Sequence, residues 1–413
     1  MVNNLPPAVR QYLVVTGNYW AFTLTDGALR MLVVLHFHTL GYSPLHIALL
    51  FLFYELFGVV TNLVGGWLGA RIGLNRTMNI GLGLQVLALT MLLVPAAWLT
   101  VMWVMAAQAL SGIAKDLNKM SAKSTIKLLV PADAESRLYY WVALLTGSKN
   151  ALKGVGFFLG GSLLMLLGFT GAIAAMAMAL TLVWLFSLVM LKKDLGKAKH
   201  KPKFSEVFSQ SQAVNMLSAA RLFLFGARDI WFVVALPVFL SQSLGWNYSQ
   251  TGGFLALWVI GYGFVQTLAP KVTGHGGRKL PDGSTATFWV LLLTVLPAGI
   301  AIGLMLQLDP AWVLISGLLV FGAVFAINSS LHSYLIVHYA NHEGVSMDVG
   351  FYYMSNAMGR LCGTLLSGAV FQWAGQGTAG LQACLWMSAA LLFVAFILST
   401  KLPKEQHHSS QLT

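Results

Sequence analysis

The sequence predicts an all-α membrane protein with twelve transmembrane helices in two pseudo-symmetric six-helix halves. Three observations carry this. The first is composition: of 413 residues, 57% are hydrophobic and 9% charged, with a mean hydropathy of +0.73. An ordinary soluble domain carries about 25% charged residues, so no soluble domain of useful size fits beside the spans. The second is recurrence: apolar runs return again and again at the roughly 20-residue length that a bilayer-spanning helix needs. The third is charge placement, because Lys and Arg collect in alternate connections. The two cysteines, Cys362 and Cys384, lie inside apolar runs, which argues against a disulfide framework.

The first run, about 13–38, is too long for the apolar core of a signal peptide and has no convincing cleavage site, so it reads as a mature helix. It holds Asp26 and Arg30, one turn apart on one face near mid-depth. A charge there costs about 2.5–3.5 kcal/mol, partly relieved if the two pair and face a watery interior. Span two, about 45–69, carries Glu55 beside Tyr54, and Gly65, Gly66, Gly69 and Gly73 crowd its end. Spans three and four cover about 77–95 and 99–118, with Lys115, Asp116 and Lys119 at the inner end of the fourth. Span five, about 140–167, holds Lys149 and Lys153 one turn apart, then Gly154, Gly156, Gly160 and Gly161. Such small residues let helices approach closely and rock. Span six, about 171–191, follows the short connection Gly168-Phe169-Thr170. Spans seven to twelve fall near 214–241, 248–269, 286–307, 311–337, 350–373 and 380–400, with Leu308-Asp309-Pro310 as another short connection. Span seven carries Arg221, Arg228 and Asp229, and span eleven carries Arg360.

The even-numbered connections hold Arg71 and Arg76; Lys119, Lys123, Lys127 and Arg137; Lys192, Lys193, Lys197, Lys199, Lys201 and Lys203; and Lys271, Arg278 and Lys279. Arg10 precedes the first span, and Lys401 and Lys404 follow the last. The tenth connection, around Tyr339 to Glu343, has histidines instead. Both termini are therefore expected in the cytoplasm, in a multi-pass arrangement. This placement accounts for most of the net charge of +12 without nucleic acid or another polyanion. The expected organisation is a bundle over 1–191, a basic cytoplasmic linker over 192–213, and a second bundle with a short tail over 214–413. Two internal echoes suit parallel halves. Gly27-Ala28-Leu29-Arg30 returns as Gly226-Ala227-Arg228-Asp229, and Asn150-Ala151-Leu152-Lys153 returns as Asn356-Ala357-Met358-Gly359-Arg360.

Near mid-depth, basic residues outnumber acids. Unpaired buried charge is costly, so the excess points to an anionic guest, which Arg meets bidentately and Lys as a mobile point charge. The candidate substrate-binding residues are Arg30, Lys149, Lys153, Arg228 and Arg360, with Asn150 and Asn356 at the echoed positions. The candidate proton carriers are Asp26, Glu55 and Asp229, with Glu55 favoured. A structural alternative stays open, in which Lys149 and Lys153 pair with Asp26 or Glu55 and merely pin helices. Asp229 follows Arg228 directly, so the two are expected to point apart, and Arg221 is expected too close to the cytoplasm to join the site. His36, His38, His332 and His338 read as interfacial. No metal-ligand spacing, nucleotide loop or Ser-His-Asp arrangement occurs. No metal, cofactor or enzymatic activity is therefore expected.

Gly66-Trp67-Leu68-Gly69-Ala70-Arg71-Ile72-Gly73 resembles the Gly-x-Leu-x-Asp-Arg-x-Gly gating motif of major facilitator superfamily transporters, which implies gating roles for Gly66, Gly69, Arg71 and Gly73. Ala70 stands where the motif has Asp, and Leu74 and Asn75 where it has basic residues, which removes its gating ion pair. Gly156-Phe157-Phe158-Leu159-Gly160-Gly161 resembles that superfamily's antiporter motif with Phe157 in place of proline. The stretches Tyr19 to Arg30, Gly112 to Lys123 and Gly147 to Gly154 are similar to those of ArsJ-type organoarsenical efflux permeases. That resemblance implies export of 1-arseno-3-phosphoglycerate, conferring arsenate resistance. It also implies a functional pairing with the glyceraldehyde-3-phosphate dehydrogenase that makes this product from arsenate. The remaining expectations are proton antiport and a monomer. The alternative keeps the fold and changes the cargo, to another organic phosphate or to a drug exchanged for protons.

Overall fold

The computed structural model describes residues 7–40, 50–129, 135–191, 195–197, 211–246, 248–274, 280–341 and 345–404, and the regular structure among them is helical. The first half comprises α1 (Pro7–Thr39), α2 (Leu52–Ile72), α3 (Leu74–Met91) and α4 (Val101–Leu129), followed by the stretch Glu135–Met190. That stretch breaks at Gly168, whose φ of 65° and ψ of 179° suit glycine, into α5 (135–167) and α6 (169–190). In the second half α7 (Gln212–Phe232) continues into the short α8 (Ala235–Gln242). Then come α9 (Tyr248–Thr273), α10 (Gly283–Met305), α11 (Pro310–Tyr339), α12 (Val345–Trp373) and α13 (Gly377–Ser399). The short connections are built as their residues dictate. Gly73 alone links α2 to α3, at φ 101°. Asp309 caps α11 by accepting from the Ala311 and Trp312 N–H groups at 2.9 and 3.0 Å, with Pro310 in the first turn.

By length and composition, seven described stretches suffice to cross a membrane. One of them, Leu138–Met190, is 53 residues long and takes in both arms around Gly168. Of the charges that the sequence reading places inside the membrane, α1 carries Asp26 and Arg30, α12 carries Arg360, and α4 carries Lys115, Asp116 and Lys119 at the inner end of the expected fourth span. Phe158, Met165, Val189, Trp312 and Trp373 are 73–83% exposed, an apolar surface that a lipid-embedded bundle presents and a water-soluble monomer avoids.

Equivalent helix pairs cross closely in the two halves. At Gly27 on α1, a Cβ would meet the Lys153 carbonyl oxygen and Gly156 Cα of α5 at 2.8 and 3.3 Å. At Gly226 on α7, a Cβ would meet the Gly359 carbonyl oxygen of α12 at 3.2 Å, and one at Gly363 would meet the Gly226 oxygen at 2.6 Å. The echo read from the sequence thus marks one crossing used twice. The halves meet along two seams, α2 against α12 and α5 against α9. One apolar cluster runs through the first half and on into α9–α12, while a second lies wholly between Leu224 and Leu392.

The main departure from the sequence reading is α4. The expected span ends at 118, but the helix runs on to Leu129, so Lys119, Lys123 and Lys127 lie on a helix and not in a loop. Lys123 is 4% exposed and its aliphatic neighbours are equally enclosed. A hydropathy reading stops before Lys119, whereas Lys115, Lys119, Lys123 and Lys127 recur every four residues and form one stripe. Lys192, Lys193, Lys199, Lys201, Lys203, Arg278, Lys279, His342 and Glu343, with most of the expected linker, lie outside the described residues, as do the side chains of His38 and Arg137. The described piece, 195–197, is tied down where the Leu195 carbonyl accepts from the Leu74 N–H at 2.8 Å.

Candidate functional site

Two carboxylates organise the centre of the bundle. Glu55 on α2 faces Arg30 of α1 at 3.2 Å, Arg360 of α12 at 3.5 Å and Lys115 of α4 at 3.9 Å. Asp229 on α7 is held by Arg228 at 2.5 Å and by Arg360 at 3.2 Å. Arg360 therefore bridges the halves. The Tyr54 ring lies against both the Arg30 guanidinium, 4.5 Å from its centroid, and the Lys115 ammonium, at 3.9 Å. The Tyr54 hydroxyl donates to Asp26 at 2.6 Å. Asp26 is 6% exposed and has no cation within ion-pair distance among the described residues. Asp116 is buried and takes Lys119 at 2.6 Å and Lys115 at 3.9 Å. Half-buried Lys149 donates to Asn150 at 3.2 Å, and Lys153 lies over the Phe157 ring at 5.8 Å. Neither lysine has a carboxylate within ion-pair distance among the described residues. Among the described residues, Arg30, Lys115, Lys119, Lys149, Lys153, Arg228 and Arg360 thus gather with four acids, Asp26, Glu55, Asp116 and Asp229. The side chains of Glu55, Arg360 and Arg30 stay 25–35% accessible, so the cluster borders an open space.

From this level towards the end of the bundle where α2 turns into α3, the halves are closed on each other. The Ser346 hydroxyl of α12 donates to the Gly66 carbonyl of α2 at 2.8 Å. A Cβ on Gly66 would collide with the Ser346 carbonyl and stand 3.0 Å from Gly350 Cα. Lys123 of α4 donates to Ser333 of α11 at 3.3 Å, and Lys127 donates to the carbonyls of His338 and Ala340. On the second seam Asn150 donates to Gln266 at 2.5 Å, and Tyr139 shares a 2.7 Å hydrogen bond with Thr273. This end carries Arg71, Arg76, Lys127 and Lys271, and is called the basic end below. The Gly66–Gly73 segment forms part of the closure through backbone proximity. Arg71 packs over the Trp67 ring at 5.1 Å.

The Major Facilitator Superfamily description matches residues 13–347, most of the chain. The chain belongs to the major facilitator superfamily. No curated protein matches it. Among solved structures it is similar to the human organic anion transporter MFSD10, at 18% identity and a TM-score of 0.73, over 96% of this chain and 100% of that one. It is also similar to a bacterial homologue of the iron transporter ferroportin in an outward-facing state, at 14% identity and a TM-score of 0.74, over 96% and 99%. The fucose:proton symporter of E. coli gives 13%, 0.71, and 94% and 98%. At these identities the likenesses show the fold. This superfamily member is a multi-pass membrane transporter of the secondary kind.

Within the superfamily fold, the predicted residues gather, with corrections. Arg30 is engaged by Glu55 and not by Asp26, because its side chain reaches across to α2. Arg228 and Asp229 do pair, although adjacent on one helix, because the long guanidinium folds back. Arg221 is 3% exposed and donates from Nε to Asn356 at 2.9 Å, so it sits beside the candidate residues and occupies one of them. Asn150 is likewise spent on Gln266. His332 is fully buried within α11 and not interfacial, while His36 stacks on Phe169 at 4.0 Å. The sequence reading gives no role to Tyr54 or to Lys123; the signal for Lys123 is spacing, since it continues the stripe from Lys115. Among the described residues no group of three His, Cys, Asp or Glu is arranged to hold a metal.

Proposed function

We propose that this transporter exports a small, multiply anionic metabolite, 1-arseno-3-phosphoglycerate, from the bacterial cytoplasm in exchange for protons, and so confers arsenate resistance. The observation that carries the reading is the pair Lys149 and Lys153, inner-facing cations with no carboxylate in reach among the described residues. Buried cations without counter-charge are costly, and a cargo bearing carboxylate, phosphate and arsenate supplies that charge. The resemblance of Tyr19–Arg30, Gly112–Lys123 and Gly147–Gly154 to organoarsenical permeases supports the same cargo. The surplus of cations disfavours a lipophilic cationic drug.

In this reading the basic end faces the cytoplasm, which puts both termini there and makes the closed basic end an outward-facing state. Cargo binds to Lys149 and Lys153 and competes with Glu55 and Asp229 for Arg30, Arg228 and Arg360. Asp26, which accepts from the Tyr54 hydroxyl and has no cation within ion-pair distance among the described residues, is the proton carrier; its protonation from outside resets the site. The protein works as a monomer beside the dehydrogenase that makes the cargo. The test is arsenate exposure of cells expressing the transporter with that dehydrogenase. Such cells should retain less arsenic than cells with the dehydrogenase alone, and everted vesicles should take up the labelled product faster with an acidic interior. Unchanged retention contradicts the cargo, and uptake indifferent to the gradient contradicts proton exchange.

A further inference from the structure

Between the central cluster and the basic end lies a second group of buried cations. Lys123 of α4, in the first half, is 4% exposed, Arg221 of α7, in the second half, is 3% exposed, and His332 of α11 is fully buried. The ligands of the two cations are neutral. Lys123 donates to the hydroxyls of Thr146 at 2.8 Å and Ser333 at 3.3 Å, and its ammonium lies 5.0 Å from the centre of the Tyr353 ring. Arg221 donates to Asn356 at 2.9 Å and to the Ser329 carbonyl at 3.2 Å, with its guanidinium over the Phe225 ring at 3.9 Å. Neither has a carboxylate within ion-pair distance among the described residues. Among the described residues neither ring nitrogen of His332 has a hydrogen-bond partner, and Arg221 is a charged neighbour. Among the described residues the charged groups that act on Lys123 are cations, Arg221, Lys149 and Lys119.

A structural ion pair would bring its own carboxylate. This cluster brings like charges together across a closed seam, which neutral hydroxyls and carbonyls only partly offset. We propose that Lys123 and Arg221, with His332, form a second anion-binding site on the cytoplasmic side of the central one, taking the phosphate or carboxylate group of the cargo. The proposal rests on the anionic-cargo reading and adds a route. Lys123, Lys119 and Lys115 stand at successive turns of α4, about 6 Å apart along its axis. The Tyr353 ring contacts both Lys119, at 4.6 Å, and Lys123. An anion entering from the basic end meets Lys123 and Arg221 first and Lys149 and Lys153 next. Because the two cations come from opposite halves, an anion between them offsets their repulsion when the seam closes, which couples loading to closure.

The test uses the full chain in proteoliposomes, with 3-phosphoglycerate as a stable probe carrying a carboxylate and a phosphate. Flux is measured separately from each face. Lys123→Gln and Arg221→Gln should each raise the half-saturating concentration at the basic-end face at least tenfold, with the opposite face within twofold. Lys153→Gln should raise it at both faces, and Lys123→Arg should restore the basic-end value. Melting temperatures identify any variant that fails to fold, and Lys123→Arg then decides alone, by matching the wild type. Unchanged values at the basic-end face, or equal losses at both faces that Lys123→Arg fails to rescue, overturn this site while leaving the central one. A wild-type protein that moves no 3-phosphoglycerate overturns the anionic-cargo reading itself.

Discussion

At the scale of single residues, the division of labour among the acids follows from what each one touches. Among the described residues Glu55 lies against three cations and Asp229 against two, whereas Asp26 has no cation within ion-pair distance and accepts from the Tyr54 hydroxyl. The sequence reading favours Glu55 as proton carrier on burial alone; the proposed exchange assigns that role to Asp26, because Glu55 is engaged by cations. Asp26→Asn is expected to flatten the pH profile of transport, and Glu55→Gln to lower activity at every pH with the profile's shape retained. The reverse pattern, measured in vesicles across pH, returns the role to Glu55. Asp229→Asn leaves Arg228 and Arg360 without their common partner at a site 1% exposed. Breaking such a pair costs about 3–5 kcal/mol, to be read as a lower melting temperature. The charges themselves were legible in the sequence, but their pairing was not. Whether Arg228 folds back on Asp229, or Arg30 passes over Asp26 to reach Glu55, depends on side-chain reach and neighbouring helices, which spacing along one chain does not encode.

At the scale of elements, two kinds of glycine contact do different work. Gly27 and Gly226 sit where α1 crosses α5 and α7 crosses α12 within a half. Gly27→Val and Gly226→Val overpack those crossings and should each cost about 1–3 kcal/mol, seen as lower melting temperatures. Gly66 instead meets Ser346 and Gly350 across the seam between halves. Gly66→Val should leave each half folded and keep the basic end from closing. In a background with Cys362 and Cys384 replaced by serine, a cysteine at Ser346 should react with a polar maleimide faster in the Gly66→Val protein. Equal rates contradict a gate made by this contact. The helices were legible as apolar runs, and the glycine echo marked the crossings. The far half of α4 was not, because lysines that a hydropathy reading assigns to a loop are buried against α5, α11 and α12, with hydroxyls, backbone carbonyls and an aromatic ring for partners.

At the scale of the whole molecule, the bundle is a pair of six-helix halves sealed at the basic end, with more cations than carboxylates along the seam. The fold follows from hydropathy, alternating basic connections and the repeat. The cargo rests on the charge surplus, and there the closed seam adds Lys123 and Arg221 to the lysines visible from spacing. The central claim is that Lys149 and Lys153 are cations awaiting an anion. Calorimetric titration of the purified transporter with 3-phosphoglycerate tests it most directly. The account predicts saturable binding whose affinity falls at least tenfold in the Lys149→Gln, Lys153→Gln double variant, with the fold intact by melting temperature. Equal affinity in the double variant, or no binding by the wild-type protein, contradicts it.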